Sequence, residues 1–252
     1  MTLTVIKVGG RAQSDPALAA ALVERWRASP GALCIVHGGG DEVSALQRAA
    51  GVEPEFIGGR RVTSPADIDR LRMALSGLAN KRLVSSLVAA GVDAIGLSGE
   101  DAALLVADVA EQGALGAVGT VRAVRTPLLR HLLRGGYLPV VSPVATPALN
   151  VNGDDAAAAI AIALGADGLL FLSDVPAVRI QGMAVTRLDR VDARSGIDAG
   201  HIAAGMAAKV QAGLSAVANG VARVWIGDLG LLGETPIGTR LVPPSVAAGV
   251  HS

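Results

Sequence analysis

Cysteine, lysine and aromatic side chains are all scarce in this chain of 252 residues. A single cysteine, Cys34, excludes a disulfide scaffold within the monomer, as is typical of proteins from a reducing compartment. Basic and acidic residues balance to a formal net charge of zero, and like charges form no runs. Because nucleic-acid-binding proteins usually carry a basic stripe, this composition disfavours that class.

Long apolar segments are also missing. Charged residues or glycines interrupt every alanine-rich stretch before the roughly 18 residues that suggest a membrane-spanning helix. Residues 1–8 lack the basic start and long apolar stretch of a secretory signal, so we predict a cytoplasmic protein. About half of the residues are apolar, which is enough for one large α/β domain or two closely joined lobes.

The shortage of lysine singles out three residues. Of the 22 basic residues, 19 are arginine and three are lysine, namely Lys7, Lys81 and Lys209. Lysine presents a compact ammonium, whereas arginine presents a planar fork. The three lysines are therefore candidates for roles that need a compact charge, and the alternative is that they are ordinary surface residues.

Apolar runs followed by glycines and then by helical patterns recur along the chain, which predicts parallel βα units. The predicted strands lie at 3–8, 32–36, 94–97, 138–141, 168–172 and 221–226, with an antiparallel pair at 104–109 and 117–124 and an irregular hairpin at 53–63. The predicted helices lie at 17–28, 41–50, 65–90 with a break near Gly77, 126–134, 154–164 and 205–219.

Two glycine-rich motifs follow the first two strands. In Lys7-Val8-Gly9-Gly10, the lysine can direct its ammonium at phosphate oxygens while the glycines leave N–H groups open to an anion. The motif is not a Walker A loop. Three consecutive glycines follow His37, and they favour close approach of a ligand over a simple connection. We interpret His37 as a structural hydrogen-bonding residue rather than a general base.

Polar and charged motifs occur at other predicted element ends. Arg60 and Arg61 follow a glycine pair, where one guanidinium could bind a carboxylate and the other is expected to be a dispensable surface residue. The segment 150–154 contains more amide and carboxylate side chains than helix capping needs. Ser173 and Asp174 follow a strand, where ligands bind in open α/β sheets. The segment 205–209 brings a second lysine near a helix start.

Taken in order, these motifs resemble the amino-acid kinase family, and within it the branch that phosphorylates N-acetylglutamate. The resemblance covers nearly the whole chain. It is carried by the segments Lys7–Gly10, His37–Gly40, Arg61–Thr63, Ala79–Lys81, Gly136–Val141, Asn150–Asp154, Leu172–Val175, Gly205–Lys209 and Gly238–Arg240.

This resemblance implies an α/β fold, a three-layer αβα sandwich with a mainly parallel central sheet. An N-terminal lobe, 1–149, would bind the acyl amino acid and form the dimer, and a C-terminal lobe, 150–252, would bind ATP within one continuous fold. The implied reaction moves the γ-phosphoryl group of ATP to the side-chain carboxylate of N-acetyl-L-glutamate in arginine biosynthesis. Mg²⁺ would be held mainly by the ATP phosphates, without a protein metal site.

The resemblance also assigns roles to individual residues. Lys7 and Lys209 would neutralise the transferring phosphoryl group, and Asp154 would hold both lysines. The N–H groups of Gly10 and Gly39 would contact the same phosphoryl group. The remaining assignments are Gly39, Gly40, Arg61 and Asn150 for the acyl amino acid, and Ser173, Asp174, Met206 and Lys209 for the nucleotide.

Some features depart from the family pattern, and some alternatives stay open. Asp155 stands where glutamine is expected, Gly153 where alanine is usual, and Ala177 where a glycine is expected nearby. The acyl group and chain length cannot be read from the residues. N-acetyl-aminoadipate, bare or carrier-linked, and N-succinylglutamate are therefore alternative substrates. A non-catalytic amino-acid sensor on the same fold is the alternative from another class.

Assembly is predicted from the resemblance as well. Arginine-inhibited members resemble one another in an N-terminal helix that links dimers into a hexamer. Here two residues precede the first predicted strand, fewer than one helical turn of about 3.6 residues. We therefore expect a homodimer that does not respond to arginine. The stripe Ile68, Leu71, Leu75 and Leu78 could face the twin subunit, although such a stripe more often faces the core.

Overall fold

The computed structural model describes residues 2–244, so Met1 and the last eight residues of the predicted C-terminal lobe lie outside the described part. The α-helices are α1 (Leu18–Ala28), α2 (Gly40–Ala49), α3 (Asp67–Leu71), α4 (Asn80–Ala89), α5 (Pro127–Arg134), α6 (Gly153–Leu164), α7 (Arg190–Asp198) and α8 (Ala204–Ala218). The strands are β1 (Thr4–Val8), β2 (Leu33–His37), β3 (Phe56–Ile57), β4 (Arg60–Arg61), β5 (Ala94–Ser98), β6 (Leu105–Val109), β7 (Val118–Val124), β8 (Leu138–Ser142), β9 (Val144–Ala145), β10 (Leu149–Val151), β11 (Gly168–Leu172), β12 (Arg179–Ile180), β13 (Met183–Ala184), β14 (Arg187–Leu188), β15 (Arg223–Gly227) and β16 (Thr239–Leu241).

An eight-stranded sheet in the order β14-β16-β15-β11-β1-β2-β8-β5 forms the centre of the molecule. Its neighbouring strands are parallel except for β15 with β16. Every residue of β1, β2, β8 and β11 is buried, as expected for central strands that are covered on both faces. The predicted α/β fold with a mainly parallel sheet is confirmed.

Helices cover both faces of this sheet because successive strand side chains point to opposite sides. On β1, Val5 belongs to a core with α6 and α8, whereas Ile6 belongs to a second core with α1 and α4. The result is the three-layer sandwich. Within residues 2–244, no helix is both long and apolar enough to cross a membrane.

A smaller sheet in the order β6-β7-β10-β9 lies beside the main one. It contains the predicted antiparallel pair, here β6 with β7. Hairpins form between β3 and β4 and between β12 and β13. Sequence analysis missed β9, β10, β12, β13, β14 and β16 because strands of two or three residues are too short to show an alternating pattern. It also missed α7.

The helical stretch predicted at 65–90 differs from expectation in two ways. It has no break near Gly77, since a π-helical segment, Arg72–Ala79, joins α3 to α4 directly. Ile68, Leu71 and Leu75 are buried, so this part of the stripe faces the core and not a twin subunit. The wider π-helical turn continues the buried face from Leu75 to Ala79, which leaves Leu78 about half exposed.

Candidate active site

Loops that follow β1, β2 and β11 meet at the carboxyl edge of the central sheet. Val8 is in register with both His37 and Leu172, the last residues of the two neighbouring strands. The N–H of Gly9 donates to the Leu172 carbonyl at 3.0 Å, and that of Gly38 donates to the Val8 carbonyl at 3.0 Å. In parallel α/β sheets this edge is where ligands bind.

The two glycine-rich loops pack closely together. A Cβ atom on Gly38 would lie 3.5 Å from the Gly10 nitrogen and 3.8 Å from Lys7 Nζ. Gly39 has a φ of +156°, and a Cβ there would lie 2.7 Å from Leu75 Cδ2, so glycine is required. Within residues 2–244, no protein acceptor bonds the N–H of Gly10 or Gly39. These groups, beside the N-terminus of α2, can bind an anion.

Two of the three lysines converge on one carboxylate oxygen. Asp154 Oδ1 lies 2.9 Å from Lys7 Nζ and 3.0 Å from Lys209 Nζ. Lys7 and Lys209 are each 7% exposed, and Asp154 is 6% exposed. Three chain segments, β1, α6 and α8, thus bring two ammonium groups and one carboxylate together. One positive charge in this cluster is left for an anionic ligand.

Burial and charge act against each other in this cluster. Burial disfavours the ionised form of the Asp154 carboxylate and would raise its pKa. The ammoniums of Lys7 and Lys209 outweigh this effect and hold the pKa of Asp154 below its usual value. Burial, followed by the charge of Lys7, lowers the pKa of Lys209, although Asp154 opposes the change. Phosphate oxygens near Lys209 would favour its charged form.

The start of α6 fixes the position of Asp154. Asn152 is the N-cap, and its Oδ1 accepts from the N–H of Asp154 at 2.8 Å and from that of Asp155 at 3.4 Å. A Cβ on Gly153 would lie 3.4 Å from Lys7 Cε, an ordinary contact. The alanine that is usual at this position would therefore fit, and Gly153 does not change the site.

A cavity beside the glycine loops contains the residues that the resemblance assigns to the acyl amino acid. It is lined by Gly38, Gly39, Gly40, Val43, Phe56, Gly59, Arg60, Arg61, Leu71, Leu75, Val118, Pro143, Asn150, Val151, Asn152 and Gly153. Gly39, Gly40, Arg61 and Asn150, all predicted from the sequence, are thus brought to one place. Asn150 Nδ2 donates to Thr63 Oγ1 at 2.9 Å. No protein donor of the described chain bonds its Oδ1, which can accept from an amide.

Residues of α2 hold Arg61 in place. Its guanidinium donates to Gln47 Oε1, to the Gly40 carbonyl at 2.8 Å and to Ser44 Oγ at 2.8 Å. It also lies over the Phe56 ring at 4.7 Å. Sequence reasoning missed Ser44 and Gln47, although their spacing of four and seven residues from Gly40 places all three on one helical face.

His37 is a structural residue in this geometry. It is fully buried, with Nδ1 2.7 Å from the Gly38 carbonyl and Nε2 3.1 Å from Asn80 Nδ2. A neutral ring that donates from Nδ1 and accepts at Nε2 satisfies both contacts. Burial lowers its pKa to about 4. This agrees with the structural interpretation and leaves no free nitrogen to act as a base.

Arg60 makes an ion pair instead of standing free at the surface. Its Nη2 lies 3.1 Å from Asp155 Oδ2, and the two side chains are 32% and 36% exposed. Asp155 is one of the three residues where the sequence departs from the expected pattern. Sequence reasoning could not join these two residues, which lie 95 positions apart.

The expected nucleotide-binding residues lie around the same edge. Ser173 Oγ donates to Asp174 Oδ1 at 3.3 Å, and Asp174 Oδ2 pairs with Arg11 Nη1 at 3.0 Å. Met206 is half-buried in the first turn of α8, one turn before Lys209. The third lysine, Lys81, lies outside the cluster on α4, where it donates to the Gly96 carbonyl at 3.2 Å. Nothing in the structure explains Ala177.

The described residues include no cluster of potential metal ligands. Among the described residues, no three His, Cys, Asp or Glu side chains lie close enough together to hold a metal ion.

Comparison with known proteins relates this geometry to a family. The model of the amino acid kinase family matches residues 2–228. The chain belongs to the amino acid kinase family. Among curated members, acetylglutamate kinase of Chloroflexus aurantiacus is 43% identical over 235 residues, covering 90% of this chain and 92% of that protein. Acetylglutamate kinase of Chloroflexus aggregans is 41% identical over 248 residues, covering 96% and 97%.

Solved structures show the amino acid kinase fold as well. The protein smu.665 of Streptococcus mutans superposes with a TM-score of 0.85 at 29% identity, covering 95% of this chain and 98% of that one. Carbamate kinase of Giardia lamblia bound to AMP-PNP superposes with a TM-score of 0.75 over 96% of this chain and 99% of that one. At 16% identity, the second likeness concerns the fold alone.

Proposed function

We propose that this enzyme is an acetylglutamate kinase, which transfers the γ-phosphoryl group of ATP to the side-chain carboxylate of N-acetyl-L-glutamate in arginine biosynthesis. The observation that carries the proposal is the buried cluster in which Lys7 and Lys209 share Asp154 Oδ1. Curated relatives that bear this name at 43% and 41% identity support it.

The chemistry needs no general base. A glutamate side chain has a pKa of about 4.3, so the acceptor is already an anion at neutral pH. One carboxylate oxygen attacks the γ-phosphorus, a P–O bond forms, and the bond between the γ-phosphorus and the bridging oxygen breaks as ADP leaves. Because both reactants are negative, positioning and charge cancellation govern the rate. This requirement fits a site in which the nearby histidine, His37, is buried and neutral.

Four groups of the chain would act on the transferring phosphoryl group. The ammoniums of Lys7 and Lys209 would neutralise its oxygens, with Asp154 holding both in place. The N–H groups of Gly10 and Gly39 would donate to the same oxygens, as at other preorganised anion sites. Mg²⁺ would arrive on the ATP phosphates and cancel part of their charge, and no protein carboxylate is required to hold it.

The cavity would hold the acceptor. Arg61, already fixed by α2, would bind a carboxylate through its remaining N–H groups. Asn150 Oδ1 would accept from the acyl amide, and the backbone of Gly39 and Gly40 would contact the same molecule. Apolar side chains of this cavity, including Leu71 and Leu75, would pack against the methylene groups and the acyl group.

ATP would lie on the other side of the cluster. Ser173 and Asp174 after β11, together with Met206 and Lys209 of α8, would contact it. The acceptor would then lie mainly in the lobe 1–149 and the nucleotide in the lobe 150–252. The protein would act in the cytoplasm.

We also propose a homodimer. Along the helical stretch from α3 to α4, the large apolar residues Met73, Leu78 and Val88 are each at least 48% exposed. Exposed apolar residues can mark an interface between protein chains when they form one surface, and two-fold dimers are the commonest soluble oligomers. The partner face would then consist of these residues and not of the buried stripe.

An acceptor panel tests the function. ADP release is measured with N-acetylglutamate, N-succinylglutamate and N-acetyl-aminoadipate at equal concentrations, with Asp154→Asn as a control of strongly reduced activity. We expect N-acetylglutamate to give the highest kcat/KM. A higher value for another acceptor would assign the sister reaction, and acceptor binding without ADP release would favour the non-catalytic sensor.

A further inference from the structure

Arg60 and Asp155 link the acceptor side of the site to the helix that carries Asp154. Arg60 is the first residue of β4, directly before Arg61, and Asp155 directly follows Asp154 in the first turn of α6. The Nη2–Oδ2 distance is 3.1 Å. A change at either residue therefore acts beside the groups that position both substrates.

Without Arg60, Asp155 would bring an unfavourable charge to this site. Burial and the neighbouring charge of Asp154 raise the pKa of Asp155, and Arg60 opposes both effects. Both substrates are anions, so an uncompensated carboxylate one residue from Asp154 would repel them. An unpaired Asp155 would also offset the one positive charge that Lys7 and Lys209 leave after pairing with Asp154, and that charge is needed for the anionic substrates.

The ion pair also lies where the β3–β4 hairpin approaches α6 and the start of α8. Arg60 lines the acceptor cavity and also a second cavity on the α8 side, to which Asp155 contributes. At the hairpin turn, a Cβ on Gly59 would lie 3.5 Å from the Ala204 carbonyl carbon at the start of α8. The ion pair is thus a side-chain connection between the hairpin that carries Arg61 and α6.

We propose that Arg60 is a positioning residue that acts through Asp155, whose carboxylate it neutralises where the β3–β4 hairpin meets α6 beside both substrates. The proposal rests on the proposed kinase function for its kinetic consequences, and it replaces the expectation that Arg60 is dispensable with a testable role.

A double-mutant cycle on the ion pair tests this role. The variants are Arg60→Ala, Arg60→Lys, Asp155→Asn and the double variant Arg60→Ala/Asp155→Asn. Arg194→Ala is the matched control, because Arg194 pairs with Asp198 on α7 away from the cluster. For each, kcat and KM for N-acetylglutamate are measured, together with the Kd for ATP by calorimetry without acceptor.

Arg60→Ala should lower kcat/KM for the acceptor by roughly 10- to 100-fold, because a half-buried carboxylate is left unpaired. The loss should lie mainly in KM, and ATP binding should weaken. Arg60→Lys, Asp155→Asn and the double variant should all stay much closer to the unmodified enzyme.

Two outcomes would overturn the proposal. If the double variant stayed as poor as Arg60→Ala, Arg60 would contact substrate itself. If Arg60→Ala behaved like the Arg194→Ala control, Arg60 would be dispensable after all. Should the unmodified enzyme turn over no N-acetylglutamate, the proposed function would fail, but the ATP affinities across the cycle would still decide the role of Arg60.

Discussion

Replacing Asp154 by asparagine removes one charge from the centre of the site and little volume. The carboxylate oxygen that lies 2.9 Å from Lys7 Nζ and 3.0 Å from Lys209 Nζ then becomes part of a neutral amide. Two buried ammoniums would face each other without a counter-charge. Comparable losses at preorganised electrostatic sites cost roughly 2.7–4 kcal/mol in the barrier, so kcat should fall by about 10²- to 10³-fold.

The pH dependence gives a second and more specific readout. If catalysis needs the charged form of Lys209, kcat falls as pH rises through the pKa of that lysine. Burial already lowers this pKa, and Asp154 opposes the lowering. Without Asp154 the pKa should fall further, so the alkaline limb of the kcat profile should move to lower pH.

The assay measures ADP release at saturating ATP and acceptor between roughly pH 6 and 10, a range that covers lowered lysine pKa values. Asp198→Asn is the control, because Asp198 pairs with Arg194 on an exposed surface and should change neither kcat nor the limb. If Asp154→Asn kept a near-normal kcat and an unmoved limb, the shared carboxylate would not position the lysines for catalysis.

Four further predictions follow from the same geometry. Lys7→Arg should lower kcat more than it raises either KM, since a planar fork does not replace a compact ammonium; unchanged turnover would contradict the role of Lys7. Arg61→Ala should weaken acceptor binding by roughly 1.5–3 kcal/mol with ATP binding little changed, and calorimetry with N-acetylglutamate checks this. The pKa of His37 is about 4 in the folded protein and near 6.5 in the unfolded chain. Below pH ~6.5 the unfolded chain therefore binds more protons at this residue than the folded protein does. The free energy of unfolding should fall by roughly 1.5–2 kcal/mol between pH 6.5 and pH 5. Urea unfolding at both pH values should show this loss in the unmodified protein but not in His37→Asn. Light scattering should give a dimer mass, and Leu78→Asp should shift it toward the monomer, whereas a monomer or hexamer mass for the unmodified protein would contradict this assembly.

The central strands β1, β2, β8 and β11 could be predicted because each is a mostly apolar run that ends at glycine or a polar residue. The run before Gly9 became β1, and the one before Gly38 became β2. Short strands could not be found in this way, since two residues carry no period. The π-helical segment was also hidden, because apolar residues at helical spacing do not reveal where the turn widens.

Within the site, the scarcity of lysine and the local motifs singled out Lys7 and Lys209, and the family resemblance joined them to Asp154. The pairing of Arg60 with Asp155 remained hidden. Nothing near Asp155 in the sequence indicates that Arg60, 95 positions away, pairs with it. Ser44 and Gln47 were missed for a different reason. Their helical spacing from Gly40 was visible, but the arginine they hold comes from another element.

The central claim is that this enzyme makes an acyl phosphate on N-acetyl-L-glutamate, and trapping that product tests it most directly. The enzyme is incubated with ATP, Mg²⁺ and N-acetylglutamate in the presence of hydroxylamine, which converts an acyl phosphate to a hydroxamate. We expect one N-acetylglutamyl hydroxamate for each ADP released, and no ADP release without acceptor. ADP release that does not depend on N-acetylglutamate, or that leaves no hydroxamate, would contradict it.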